Sequence, residues 1–509
     1  NTDFFSGAFP ADYGNALGAV FDARFRKGNT EKRQHAVQFS FLGLDVATEG
    51  PITKSGRNSC LANYRYSTTG IIKNFVDVGI AIPTYQDLSF KLHFQLPGNA
   101  QLSVFGIGGL SRTEYIPVQD TNRWSEANNL RFGGVYRTTT GTAGTTYSRP
   151  IGEKSFLQST LIGTGLRYDT YGYYLQPALV SIDSTAKTDD YEYRISWATF
   201  FNHKFGSRHT HRSGVTVHGI TSNILLVRTP NFWTANPGNV LSDTLRQGQG
   251  STVLVNAFSR SQFILGPKWK LNAGLHLVYL DLTKEISLEP RLGLRFQISP
   301  RRSLSFAYGL HSQMDPFFTY IAERRNAAGN LYRFNEDLRL NKAHHFVLSH
   351  HWNLTDKIRF VVEAYYQHLY NMVVGKDLPI SRVGGYDFSF ETQDLDNGGT
   401  GRNMGIEIAV ERSFRNGYYF MVNGSFFDAT YVANNQVRYP STFNNRIITN
   451  SSVGKEWRLG EKRGKTNFLN LNFSLTYSGP RYYTPLNLDL VVEEGIFEVT
   501  YDNPNSASQ

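Results

Sequence analysis

The chain has 509 residues, a formal charge of +10, a mean hydropathy of −0.36 and 14% aromatic residues, with Tyr (29), Phe (36) and Gly (46) far ahead of Pro (18) and Met (4). That is strand and turn chemistry, and no run approaches the ~18 apolar residues of a spanning helix, so a helical membrane protein is excluded while a β-barrel is not. Lys and Arg are scattered without a basic run, which argues against nucleic-acid binding, and the single Cys60 rules out an intrachain disulfide.

The first thirty residues, including PADYGNALGAVFDARFR, are rich in Gly, Ala and Phe and suggest a turn followed by a short strand. From about Gln34 a period of two begins. Taking Ala36 to Tyr66 as one hairpin makes PITKSGR its turn, and Leu88 to Arg112 forms the next hairpin. Further on, Leu271, Ala273, Leu275 and Leu277 alternate with Lys270, Asn272, Gly274 and His276. In SLEPRLGLRFQIS the apolar set is Leu288, Leu292, Leu294, Phe296 and Ile298, interleaved with Glu289, Arg291, Gly293, Arg295 and Gln297. SLSFAYGLHS sets Leu304, Phe306, Tyr308 and Leu310 against Ser303, Ser305, Ala307, Gly309 and His311. Ile358, Phe360, Val362, Ala364 and Tyr366 oppose Arg359, Glu363 and Gln367, and NFLNLNFSLTYS repeats the pattern near residue 470. Successive strand side chains point to opposite faces, so each segment presents one apolar and one wet surface. Runs of about ten residues suit a tilted strand crossing a bilayer better than a soluble sandwich, whose strands have about five or six.

The connectors alternate as well. Short polar turns fall near Pro97, Phe205, Leu265, Ser299, Leu354, Phe414 and Gly460, with longer connections around Arg228 to Gln247, Met314 to Leu340, Val374 to Thr400 and Tyr431 to Asn445. Short turns on one rim and long loops on the other are the outer-membrane barrel pattern. Trp269, Trp352 and Trp457 lie beside short turns, where an interfacial aromatic girdle is expected. The fold class expected is therefore an all-β transmembrane antiparallel β-barrel with about eighteen visible strands. If PITKSGR is periplasmic the first strand runs inward, and the segment before it must either cross outward or descend through the lumen. The composition of the first thirty residues favours the descent.

Several of these segments are similar to the TonB-dependent outer-membrane receptors: PADYGNALGAVFDARFR to the end of their plug domain, and TYQDLSFKL, SLEPRLGLRFQISPRRSLSFAYGLHSQ, KAHHFVLSHHW, IRFVVEAYYQHLYNMVV and GTGRNMGIEIAVERSFRNGYYF to their barrel. The resemblance covers nearly the whole chain and is closest to members with a carboxypeptidase-regulatory-like domain ahead of the plug. It implies a twenty-two-stranded barrel in the full protein and divides this chain into the end of a plug (1–33), barrel strands and loops (34–478) and a long extracellular segment leading to final strands (479–509). It further implies that the chain is an internal fragment lacking the TonB box. The function implied is import of a scarce ligand (a siderophore, metal chelate or other small nutrient) across the outer membrane, energised through the TonB complex. A passive pore and a barrel enzyme are the alternatives.

No catalytic constellation and no cofactor motif stands out. His345 and His351 share one strand face at ~20 Å and cannot ligate one metal; His344 and His350 share the other. His209 and His211 are better spaced, but two ligands are weak evidence. His311 and Ser312 point to opposite faces and cannot act as a nucleophile and base pair. On the lumen face Glu289, Arg291, Arg295, Arg359 and Glu363 are expected to pair with one another and with the plug. The loop after Gln313 offers Phe317, Phe318 and Tyr320 for apolar or stacking contact and Arg324 and Arg325 for an anionic ligand group.

Overall fold

The computed structural model describes residues 2–40, 43–53, 56–69, 81–125, 132–175, 181–228, 243–384, 392–462 and 464–482. It opens with a small hairpin, β1 (Thr2–Ser6) paired with β2 (Ala19–Ala23). A second sheet of antiparallel strands, in barrel form, holds everything after it. Its first members are β3 (Gln34–Ser40), β4 (Gly43–Pro51), β5 (Ser59–Ser67), β6 (Ala81–Gln95), β7 (Gln101–Tyr115), β8 (Phe132–Ile151), β9 (Ser155–Leu175) and β10 (Ser181–Lys204). The wall continues through β11 (His209–Arg228), β12 (Asp243–Ile264), β13 (Trp269–Leu280), β14 (Glu285–Ser299) and β15 (Arg302–Gln313). A long connection carrying the helix α1 (Phe317–Ile321) and the small hairpin β16 (Glu323–Arg325) and β17 (Leu331–Arg333) follows. The sheet then runs on through β18 (Asn341–Asn353), β19 (Ile358–Gly375), β20 (Leu395–Arg415) and β21 (Tyr418–Val432), past the short β22 (Arg438–Pro440), to β23 (Ile447–Lys462) and β24 (Lys465–Ser478).

Among the described residues, nineteen of the strands after Gln34 have seven residues or more, where the sequence suggested about eighteen. The extra one comes from the first hairpin. Ala36 to Tyr66 is three strands, because the chain also reverses between Ser40 and Gly43, so β4 descends to PITKSGR and β3 supplies the preceding outward crossing. The odd count removes the parity conflict: β3 begins on the short-turn rim and β24 ends on the long-loop rim. Registers join the wall strands in turn from β3 to β24, with β15 pairing β18 and β21 pairing β23 past the short strands between them. None among the described residues joins β24 back to β3, and residues 34–40 and 467–478 are exposed on both faces.

The two faces separate as the alternation requires. Leu288, Leu292, Ile298, Leu304 and Phe306 are exposed on the outside, whereas Glu289, Arg291, Ser303 and His311 on the same strands are buried on the inside. Trp269 and Trp457 are exposed near short turns, and Trp352 lies under the Arg302 guanidinium at 3.9 Å. The expected short turns all join neighbouring strands on one rim. On the other rim the connection Asp281–Lys284 is short, an exception to the long-loop pattern. Part of the expected loop from Arg228 to Gln247, and residues 483–509, lie outside the described residues.

Candidate functional site

The segment between β1 and β2 enters the concave side of the wall. Gly7 takes a positive φ, and a Cβ there would stand 2.8 Å from Val347. This turn delivers Phe9, 2% exposed, onto the ring of His311 at 4.0 Å, with His345 edge-on at 6.4 Å. Arg291 fastens the backbone beneath it. Its Nη1 donates to Phe9 O at 3.0 Å, its Nε to Leu310 O at 2.8 Å and its Nη2 to Glu289 Oε2 at 2.6 Å, while Ser312 Oγ donates to the other oxygen of Glu289. His276 Nδ1 donates to Ala11 O at 2.8 Å, and Gly14 is required beside it because a Cβ would fall 2.0 Å from His276 Nε2. Asp12 pairs with Arg212 at 3.1 Å and also with Arg260. Two half-buried cations sharing one carboxylate, each on its own strand, hold residue 12 in two directions.

A charged cavity of about 730 Å³ opens beside this segment, lined by Asp12, Tyr13, Asp22, Arg24, Lys27 and Lys91 among others. Tyr13 Oη donates to Asp22 Oδ2 at 2.8 Å, and burial followed by that carboxylate pushes the phenol up to about 12. Asp22 is held below the usual carboxylate range, first by its bond from Arg24.

The same segment reaches the long-loop rim. Asn15 Oδ1 accepts from Met314 N at 2.9 Å, and Gln313 Oε1 accepts from Leu17 N at 3.2 Å. The loop that starts there folds inward over α1, burying Phe317, Tyr320 and Ile321 against Leu254, Leu280, Leu340 and Ile380. Asp315, buried at the loop's start, pairs with Arg382 at 3.3 Å, and burial pushes its carboxyl above the usual range against the pull of that guanidinium. Arg382 also donates to Thr319 Oγ1 at 3.3 Å, and Asn335 bonds Gln393 O and Leu395 N. The loop 314–340 is therefore interlocked with Arg382 and with the segment Gln393–Leu395.

Of the residues expected to meet ligand, Phe317 and Tyr320 lie in this buried cluster and Phe318 packs at its edge. Arg324 pairs with Asp394 at 3.0 Å, donates to Thr392 O at 2.6 Å and covers the Phe334 ring at 4.2 Å. Arg325 is exposed, with Nη1 donating to Gly329 O at 2.9 Å. Of the lumen set, Glu289 and Arg291 pair with each other, and Arg291 reaches the inserted segment. Arg359 instead pairs with Glu411 at 3.3 Å, Glu363 accepts from Ser349 Oγ at 2.7 Å, and Arg295 is exposed. Sequence reasoning missed Phe9, Asp12, Asn15, Arg212 and Arg260; alternation could have placed the two arginines on the inner face, but nothing local marks their common partner. Among the described residues, no group of three His, Cys, Asp or Glu side chains is arranged to hold a metal ion.

A family model described as "TonB dependent receptor-like, beta-barrel" matches residues 26–503. No curated protein matches the sequence. Among solved structures, FpvA of P. aeruginosa, in complex with a heterologous pyoverdine and iron, superposes with a TM-score of 0.68 at 12% identity, over 95% of this chain and 66% of its own length. The ferric-catecholate import receptor Fiu of E. coli K12 gives 0.64 at 12% identity over 88% of this chain and 73% of its own. The alcaligin outer-membrane receptor FauA of Bordetella pertussis gives 0.61 at 13% over 94% and 74%. At these identities the likeness is one of fold, and the chain spans just under two thirds of FpvA.

Proposed function

Because the chain belongs to the TonB-dependent receptor family, whose barrels lie in the outer membrane, we propose that it forms most of the barrel of a ligand importer energised through TonB. The observation that carries this reading is the segment 7–17, clamped inside the wall by Arg291, His276, Arg212 and Arg260. A lumen filled in this way blocks free diffusion, so passage needs a regulated opening. This favours an importer over a passive pore, and a transport role over catalysis. In this reading residues 1–33 act as the end of a plug, 34–478 as the barrel and 479–509 as an outer segment.

The ligand proposed is a small anionic chelate or nutrient met on the long-loop rim. Arg324 and Arg325 are the candidate contacts, and Phe317, Phe318 and Tyr320 serve to hold the loop that presents them. Siderophores enter as a ligand class through the solved receptors that resemble the fold. The test is uptake and binding by the full-length receptor in cells with and without TonB. Binding retained but uptake lost without TonB is the expected result; uptake that persists refutes energy coupling. Replacing Arg324 and Arg325 together with Ala should lower binding at normal surface abundance, and unchanged binding removes them from the ligand site.

A further inference from the structure

Near the short-turn rim of β9 to β12 the outward face turns polar: Ser159, Thr199, Ser213 and Ser259 share it with apolar neighbours, and one row is polar on all four strands. Ser155, His203, His211 and Ser261 are direct cross-strand partners. Ser155 Oγ lies 2.8 Å from His203 Nδ1, and Ser261 Oγ lies 3.0 Å from His211 Nδ1, leaving Nε2 of both rings outside these bonds. His209, one row nearer the rim, is stacked between Phe205 at 4.6 Å and Phe263 at 4.5 Å. The side is fixed by its neighbours: Trp197 and Phe201, at the same parity on β10, are exposed outward, whereas Arg212, the residue after His211, turns in to Asp12. Four polar side chains facing hydrocarbon would be costly, so the row marks the depth at which headgroups begin.

The turns just below are stapled edge to edge by backbone bonds, Lys204 N to Lys154 O and Ile264 N to Arg208 O, both 2.8 Å, and Gln297 N to Lys268 O at 2.8 Å. They place the exposed turn cations Lys154, Arg208 and Lys268 along one arc, with Glu153 the single acid in these turns. Uncovered apolar side chains Phe205, Leu265 and Trp269 lie between them. A metal site is disfavoured, since no three-ligand arrangement exists among the described residues.

We propose that this outward rim of β9 to β13 is a docking surface for the phosphodiester headgroup of an anionic phospholipid of the inner leaflet. The His and Ser row supplies hydrogen bonds, Lys154, Arg208 and Lys268 supply charge, and Phe205 and Trp269 flank the upper acyl chains. The apolar belt continuous with the row selects a lipid over a soluble anion, and the excess of cations selects an anionic headgroup over a zwitterionic one.

The full-length receptor is reconstituted in phosphatidylcholine vesicles containing a minor fraction of spin-labelled phosphatidylglycerol or spin-labelled phosphatidylcholine, and the share of each lipid immobilised at the protein is read. The anionic lipid should be favoured about five-fold at low salt for each cation it engages, and less as salt rises. The triple change Lys154→Gln, Arg208→Gln and Lys268→Gln should abolish most of that preference. The charge-keeping set Lys154→Arg, Arg208→Lys and Lys268→Arg should retain it, as should Lys284→Gln with Arg339→Gln and Lys376→Gln on the opposite rim. Heat-modifiability confirms that each variant is folded, and the salt dependence of the unaltered receptor stands as a test if one is not. Equal immobilisation of the two lipids, or a preference that survives the triple Gln change, overturns the proposal. So does displacement by inorganic phosphate beyond that by chloride at matched ionic strength, which would mean that the surface binds a free anion.

Discussion

Replacing Arg291 with Met should loosen the inserted segment far more than it disturbs the wall. The guanidinium is 4% exposed, its partner Glu289 is fully buried, and its other bonds end on Phe9 O and Leu310 O. Removing one member of a buried pair strands the other, a loss of about 3 to 5 kcal/mol, and at about 1.4 kcal/mol per factor of ten this corresponds to a 100-fold or greater rise in opening of the segment. Hydrogen exchange of peptides spanning residues 7–18 measures it directly, with Leu17 N, bonded to Gln313, as a reporter at the far end. Peptides from β14 and β15 should change much less, because their backbone registers do not depend on the guanidinium. Arg291→Met combined with Glu289→Gln should recover part of the loss, since no charge is then left unpaired. Unchanged exchange over 7–18 in the single variant, or a double variant as loose as the single, would refute this account of the clamp.

Leu294→Arg should impair assembly by about 2 to 4 kcal/mol near the midplane, while Gly293→Ser, whose Cβ would meet only Asn272 at 3.8 Å, should be tolerated; heat-modifiability reads both. Phe317→Ala should open the outer loop to protease and cost about 3 to 5 kcal/mol of its docking, because the ring is 2% exposed within the loop cluster. The raised carboxyl of Asp315 means that the docked loop binds a proton more tightly than the undocked one. Docking should therefore strengthen as pH falls toward about 3.9 and weaken as pH rises through the shifted value, a trend that pH-corrected exchange of residues 317–321 should reveal and that Asp315→Asn should flatten.

The wall was legible because its signal is local. Leu304, Phe306, Tyr308 and Leu310 declare their face within ten residues, and a two-residue period leaves no choice of register once one side must be apolar. The hairpin at Ser40 to Gly43 escaped because the only break in QFSFLGLDVATEG is a one-residue change of phase between Phe41 and Leu42, with no Pro, Asn-Gly or Asp-Gly to mark a turn. The lumen was half legible. Alternation put Glu289 and Arg291 inside, but Arg359 and Glu363 on a neighbouring part of the wall found strand-to-strand partners, Glu411 and Ser349, that composition cannot distinguish from a plug contact. The outer loop was least legible. Phe317 and Tyr320 look like ligand-stacking aromatics in sequence, and only the distant Leu254, Leu280 and Ile380 turn them into a core.

The stitching of residues 7–17 also has a mechanical meaning. Its fastenings lie in series along the segment: Phe9 and Ala11 at one height, Asp12 between two strands, then Asn15 and Leu17 at the rim. A force applied at one end and directed away from the wall would peel them one at a time, each failing alone at low load. The same force directed along the wall would strain them together and meet their combined strength. The segment is thus an anisotropic fastener, weak to peeling and strong to shear, and because its last two fastenings are on Met314 and Gln313, peeling that starts from residue 7 breaks last the bonds that hold the root of the outer loop.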